Sequence, residues 1–491
     1  MGWIWMFLSS IVFVCLVLGP KNRKRLPPGP IGIPIIGHFH LLGKTPHRDL
    51  CNLARKHGPI MSLRFGFVPA VVVSSPAAAE LFLKTHDLVF ASRPRIEVAR
   101  WLSYGQRNLA FGPYGPYWRN MRKLCTLQLL SNFKINQFGP MRKTEVGLLV
   151  GSLKLAAESR DTVDLSARIT AVIADMNCLL ILGRKYSDPG FKSLFTETFE
   201  VAGEFNLADF FPYVGVLDLQ GMNRRLKRLS NTFDGLIEKI IDDHIQNNIE
   251  MKQKQSEEDF VDTMMSIMDS GEAGFEFDRR HVKAVLLDML IAGMDTSSTT
   301  IEWTISELMR QPSTMKKLQQ ELESVVGLES MVEESHLDKL EYLNCVVKET
   351  LRLHPPAPLL IPHESMEDCE VEGFHIPKKS RIMVNVWAIA RDPNVWPNPE
   401  SFTPERFIGS DIDLRGQHFE LIPFGSGRRG CPGLQLGLTL VKLVVAQLVH
   451  CFDWELPHGM RPNDVDMCEH FGMAISRANH LMAIPSYRLH I

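Results

Sequence analysis

The sequence predicts a mainly α fold with a minor β part, folded as one large body behind an N-terminal apolar segment. Three observations predict it. Apolar residues recur at helical spacing over most of 140–245 and again over 281–312, 313–326 and 340–353. Strand-like patterns are confined to short stretches at 60–75, 357–361, 382–386 and 471–486. No internal repeat or low-complexity tract divides the chain, which has 491 residues, 45% of them apolar and 22% charged.

The elements follow in order. Residues 3–18, "WIWMFLSSIVFVCLVL", carry no charge and are followed by Gly19, Pro20 and the basic run "KNRKR" at 21–25. As a helix this segment is slightly short for a hydrocarbon core of about 30 Å, which the thinner reticulum bilayer accommodates. The basic run places its own side in the cytosol. A cleaved signal peptide is the alternative, but a basic leader and a small-residue cleavage site are missing. The expected division is a membrane anchor at 1–20, a basic and proline-rich hinge at 21–38, and a globular body at 39–491.

The hinge ends in "LPPGPIGIPIIGH", 26–38, whose four prolines and three glycines forbid a helix and favour stiff, extended backbone. The alternating, valine-rich 60–75 predicts a hairpin. Pro76 opens a predicted helix over 76–86. Residues 251–258, "MKQKQSEE", read as a polar surface break. The long pattern "HVKAVLLDMLIAGMDTSSTTIEWTISELMRQP" predicts a helix over 281–312 that ends at proline.

Charge and cysteine usage exclude several classes. Net charge is −2 and, apart from the short run at 21–25, nothing suggests the basic face or tail of a nucleic-acid binder, so nucleic acid is not expected as a partner. The 9 cysteines are odd in number, scattered, and lack CxxC spacing. That pattern fits neither a zinc site nor a disulfide framework, but reduced thiols on the cytosolic side.

One cysteine has an unusual neighbourhood. In "IPFGSGRRGCPG", 422–433, Cys431 is surrounded by glycines and arginines and precedes Pro432, a good first helical residue. A helix N-terminus favours thiolate over thiol. Glycines at 425, 427, 430 and 433 let backbone N–H groups point at the sulfur and let a flat partner approach. A thiolate against a flat partner points to haem iron with cysteine as axial ligand. Arg429 can neutralise a carboxylate of that partner, and Phe424 can lie against its face. A glycine-rich turn around an incidental buried cysteine is the competing reading.

The spacing Phe424-x-x-Gly427-x-Arg429-x-Cys431-x-Gly433 resembles the haem-binding signature of the cytochrome P450 family and matches at each position. Three further stretches carry the resemblance. Glu349 and Arg352 lie three apart on one helix face, and "PERF" supplies Arg406; the resemblance makes these a buried structural ion triad. "AGMDTSS", 292–298, matches the family's oxygen-activating motif at Ala292, Gly293, Asp295, Thr296 and Ser297. There the resemblance assigns Thr296 and Asp295 to proton delivery; close helix packing through small residues is the alternative. "WRNMRK" places Trp118 and Arg122 one helical turn apart, where the resemblance makes both donors to a haem propionate. His363 stands where many relatives carry arginine and is assigned the other propionate.

The resemblance spans essentially the whole chain, which looks like a plant microsomal member. It implies a cytochrome P450-like fold with one catalytic domain behind a single-pass anchor in the endoplasmic reticulum membrane, facing the cytosol. It implies haem b (iron protoporphyrin IX) and insertion of one oxygen atom from O2 into a small hydrophobic compound, with the thiolate favouring O–O cleavage. No flavin or nicotinamide fingerprint is present, so the implied electron source is NADPH–cytochrome P450 reductase, met by Lys123 and Arg428. Family substrate segments fall on 100–115, 204–216, 357–361 and 471–475. They give an expected pocket of Phe205, Phe210, Phe211, Ala292, Leu359, Leu360, Phe471 and Met473. Aromatic, phenylpropanoid-like and terpenoid substrates fit this list equally. A reductase-independent haem isomerase or dehydratase would be expected to lose Thr296 and disturb the cysteine loop, and both are intact. A non-catalytic haem sensor would need neither the relay nor the pocket.

Overall fold

A computed structural model describes residues 25–186, 189–215, 217–250 and 258–491. The expected anchor at 1–20, the basic run as far as 24, and the polar break over 251–257 lie outside the described residues. The body is mainly helical with small sheets at its margins, the class expected from periodicity.

A central helix, Arg279–Arg310, runs through the molecule. Asp278 caps it by accepting from the N–H groups of Arg280 at 3.0 Å and His281 at 3.3 Å. It stops at Gln311 because Pro312 starts the next helix, Pro312–Val326. The central helix packs most extensively on Leu165–Leu182 and next on the cysteine-following helix Leu434–Cys451. Both neighbours are apolar and long enough to cross a membrane, yet most of each is buried inside the body. They are core helices. Val444, Val445, Leu448 and Val449 join Ile301, Ile305 and Leu308 in one cluster with Val346 and Val347 of helix Glu341–Leu353. Each such side chain stabilises the fold by about 1.5–3 kcal/mol. A second cluster, under Met222–Glu250 and Phe260–Ser270, packs on the other end of the central helix.

The 60–75 hairpin forms from strands Ile60–Phe65 and Val68–Val73. Its turn needs Gly66, which has φ +56° and whose Cβ would lie 2.6 Å from the Phe210 carbonyl oxygen. Val68–Val73 then pairs in parallel with Arg381–Val384, which pairs antiparallel with His363–Glu364. The proline-rich segment is docked along the first strand rather than free. Ser62 donates its N–H to Pro28, and His38 donates its N–H to Arg64. A Cβ on Gly29 would meet the Ser62 carbonyl oxygen at 2.0 Å.

Two local expectations change. Residues 357–361 form a turn, and the strand begins at His363. Pro356 and Pro358 have no N–H to give a ladder, and Leu360 sits at φ +51°. The helix opened by Pro76 is regular only to Glu80 and continues as a wider turn over Leu81–Thr85.

Candidate functional site

The cysteine loop is a tight return. Cys431 donates its N–H to Phe424 O at 2.9 Å, and Gly430 donates to Gly427 O at 3.1 Å. Gly427 has φ +65°, and a Cβ there would lie 2.3 Å from Leu83 O, so only glycine fits. The regular helix starts at Leu434 with Gly433 as its cap, so Pro432 precedes the helix instead of opening it. Cys431 lies two residues before that cap. Its sulfur is ringed by protein yet open to an internal cavity. Burial pushes the thiol's pKa up, while the Gly433 N–H and Arg122 pull it down. A cation bound beside the sulfur would add to the groups that favour the thiolate.

The cavity has about 1640 Å³ of atom-free space, part of it continuous with solvent. Phe424, Gly425 and residues 431–433 line one side, and Ala292, Gly293, Thr296, Ser297 and Thr300 of the central helix line another. Arg93, Trp118, Arg122, His363 and Arg429 also reach it. Arg429 is buried and donates to Ala91 O at 2.6 Å, Leu109 O at 3.3 Å and Gly112 O at 2.6 Å. Its guanidinium lies 3.8 Å above the Trp118 ring. Arg93 donates to Ala110 O, Ile361 O and Pro362 O. Arg122 donates to Gly430 O at 2.7 Å.

Among the described residues these three guanidinium groups contact backbone carbonyls and no carboxylate. Burial pushes the pKa of Arg429 down to about 9, with Arg122 adding to the effect, and lowers Arg93 strongly, with Arg429 adding. Buried charge without a counter-ion is costly. The cavity is therefore electrostatically incomplete in the way an anionic ligand corrects. A flat group with carboxylates near the arginines and a soft metal at the sulfur fits this donor set.

Trp118 and His363 sit differently from a simple donor reading. The Trp118 indole N–H is given to Leu109 O at 3.0 Å, so the ring serves as a platform beneath Arg429. His363 Nδ1 bonds Phe90 O at 2.8 Å, and burial, with Arg93 next, lowers its pKa far below the usual range. In this state the ring is neutral, with Nε2 as its remaining acceptor.

On the central helix, Thr296 opens to the cavity and donates its hydroxyl to Ala292 O at 2.8 Å. Asp295 is one residue away, about 100° around the helix. It does not line the cavity, and its carboxylate accepts from the Ala474 N–H. Burial raises its pKa to about 6. Gly293 has a packing reason as well as a spatial one: its Cβ would lie 2.3 Å from Asn177 Oδ1 on the neighbouring helix.

Behind the site, Glu349 and Arg352 are fully buried and joined by two bonds, Nε–Oε2 at 2.8 Å and Nη2–Oε1 at 2.9 Å. Arg406 Nε reaches Glu349 Oε1 at 3.0 Å, and the Thr403 N–H reaches the same oxygen at 2.7 Å. Arg352 also donates to the carbonyls of Ala390, Pro399 and Ser401.

The expected pocket divides. Ala292 and Leu360 line the cavity. Phe205, Phe210 and Phe211 instead pack around Phe39 by the hairpin turn. Leu359 joins the cluster of Leu50, Met61 and Phe65. Phe471 stacks on His47 at 6.0 Å, and neither it nor Met473 lines the cavity. Sequence reasoning missed Arg93, Asn177 and Asp288. Asp288 had a readable signal, a lone carboxylate inside the apolar run "AVLLDMLIAG". Arg93 in "SRPR" had none.

Comparison with known proteins agrees with this geometry. A family model described as Cytochrome P450 matches residues 27–482. The chain is 52% identical to "Cytochrome P450 CYP736A12" of Panax ginseng over 96% of this chain and 95% of that protein. It is 43% identical to "Cytochrome P450 750A1" of Pinus taeda, over 97% and 94%. A zebra fish cytochrome P450 structure with progesterone superposes with a TM-score of 0.76 at 26% identity, covering 90% of this chain and 99% of that one.

Proposed function

The chain belongs to the cytochrome P450 family of haem monooxygenases, and on that premise we propose that it hydroxylates a small hydrophobic plant metabolite at the reticulum membrane with electrons from NADPH–cytochrome P450 reductase. The observation that carries this reading is one cavity joining an open cysteine sulfur, three arginines that meet no carboxylate among the described residues, and a threonine hydroxyl on the central helix. Cys431 would hold haem iron, and Arg93, Arg122 and Arg429 would receive its carboxylates, with Phe424 against its face. Haem bound there supplies reductive activation of dioxygen and transfer of one oxygen atom to the substrate. Around it the chain does the positioning. Leu109, Ala110, Ala292, Leu360 and Ile361 give the cavity an apolar wall that accepts a hydrophobic substrate and excludes bulk water. Thr296 Oγ1 holds a proton at the cavity surface, and Asp295 is the reservoir beside it.

The test is direct. Purified protein with reductase, NADPH and candidate aromatic or terpenoid compounds should give hydroxylated product, and none without reductase. Product formed without reductase would contradict the proposal.

Two further outcomes are expected. Thr296→Ala should still consume dioxygen but convert about a hundredfold less of it into product, the lower end of the range for losing a positioned proton donor. Asp295 is raised to about 6, so it holds its proton below that pH and releases it above. The product formed per dioxygen consumed should therefore fall as pH rises through about 6, and Asp295→Asn should flatten that dependence. A wild-type ratio independent of pH would remove Asp295 from proton delivery.

Exposed apolar residues support the membrane pose. Ile31 is 94% exposed, Ile35 65%, Tyr213 87% and Leu219 69%. Backbone bonds tie the hairpin turn to the neighbourhoods of both groups, from Gly66 N–H to Ile36 O and from Phe67 N–H to Phe210 O, and exposed apolar side chains gathered in this way suit a membrane contact. A polarity-sensitive fluorophore at position 213 should shift to the blue when the full chain enters vesicles; an unchanged spectrum would contradict this pose. For the reductase, Lys123 is exposed, whereas Arg428 is held by Asp87 at 2.9 Å. Lys123 is the better candidate for meeting an acidic partner.

A further inference from the structure

Asp288 lies two helical turns before Thr296, inside an apolar stretch of the central helix, and borders the cavity. A lone buried carboxylate there needs a reason. Its partners are all on one loop, 106–112. Oδ1 accepts from Asn108 Nδ2 at 2.9 Å, and Oδ2 accepts from the N–H groups of Leu109 at 3.0 Å and Ala110 at 3.1 Å. The carbonyls of this loop meet the cations of the cavity, and Leu109 O shares its peptide with the pinned Ala110 N–H. Leu109 O accepts from Trp118 Nε1 and Arg429 Nη1, Ala110 O from Arg93 Nε, and Gly112 O from Arg429 Nη2. The loop also closes on itself: Asn108 Oδ1 accepts from the Phe111 N–H at 3.0 Å, and a Cβ on Gly112 would lie 2.5 Å from Asn108 O.

We propose that Asp288 is the positioning residue that fixes the 106–112 loop so that its carbonyls hold Arg93 and Arg429 for the haem carboxylates. The inference rests on the haem reading given above. The carboxylate pins two successive peptides by their N–H groups; the second presents its opposite carbonyl, Leu109 O, to Arg429, and the loop fixed there carries Ala110 O to Arg93 and Gly112 O to Arg429. It also places a negative charge behind those peptides, and polarised chains of hydrogen bonds of this kind strengthen one another. Asp288 thus offsets buried positive charge without neutralising it directly, which leaves the guanidinium groups available to an anionic ligand. A residue serving only to pack the helix would need neither its charge nor these three partners.

The test compares full-length wild type, Asp288→Asn, Asp288→Ala and Asn108→Ala for the rate at which haem transfers to an excess of apomyoglobin, alongside thermal unfolding of the same samples. Asp288→Asn keeps the side-chain volume but loses the charge, and Asn108→Ala disturbs the clamp from the loop side should Asp288→Ala fail to fold. Both are expected to release haem about tenfold faster, the effect of losing one charge-assisted hydrogen bond, with little change in the unfolding midpoint. Haem release at the wild-type rate from Asp288→Asn and Asn108→Ala would overturn the proposal. So would a loss of haem that only tracks a lowered unfolding midpoint. Failure of the underlying reading is separate and visible in the wild type, which would then carry no haem to transfer.

Discussion

Arg352→Ala is expected to leave little folded protein. The substitution strands Glu349 in a fully buried position with only Arg406 and the Thr403 N–H for partners. It also removes the donors to the carbonyls of Ala390, Pro399 and Ser401, which lie in the chain segment leading toward the cysteine loop. Breaking a buried pair from one side costs about 3–5 kcal/mol. Whole domains are stable by only about 5–15 kcal/mol. Arg352→Lys keeps the charge but lacks the planar fork that serves Glu349 and three carbonyls together, so it should rescue little. Urea unfolding of the two variants checks this. A midpoint within the error of wild type for Arg352→Ala would show that the triad is dispensable.

Cys431→Ser is expected to abolish oxygenation while leaving the fold. The side chain faces a cavity rather than a packed interior, so exchanging sulfur for oxygen opens no hole. The loop keeps its return bond from residue 431 N–H to Phe424 O, which does not involve the side chain. A serine hydroxyl remains protonated and offers the metal no soft anion. Circular dichroism should be unchanged, and product formation should fall below detection. Turnover at a rate comparable with wild type would place the chemistry elsewhere.

How much of this was legible in the sequence depends on what each feature needs. The long helices were readable because their apolar spacing is a local property, and Pro312 marks a stop by its own chemistry. The turn at 357–361 was not, because an apolar run reads the same in a strand and in a turn. The decision fell to Pro356, Pro358 and the left-handed Leu360. The residues of the cysteine loop were readable as a motif, since glycine spacing and the neighbouring arginines are written in one stretch. Their partners were not. That Arg429 is held by Ala91, Leu109 and Gly112, or that Arg93 converges beside it, is set by backbone carbonyls, which every residue carries and no sequence pattern marks. The apolar pocket was the least legible part. A phenylalanine looks the same whether it faces a ligand or packs on Phe39, as Phe205 and Phe211 do.

The central claim is that the Cys431 sulfur binds the iron as an anion, and the optical spectrum of the reduced protein under carbon monoxide tests it most directly. A Soret band displaced to the red of imidazole-ligated haem is expected in the wild type, with loss of that displacement in Cys431→Ser. A wild-type band at the imidazole position, or a displaced band that survives in Cys431→Ser, would contradict it.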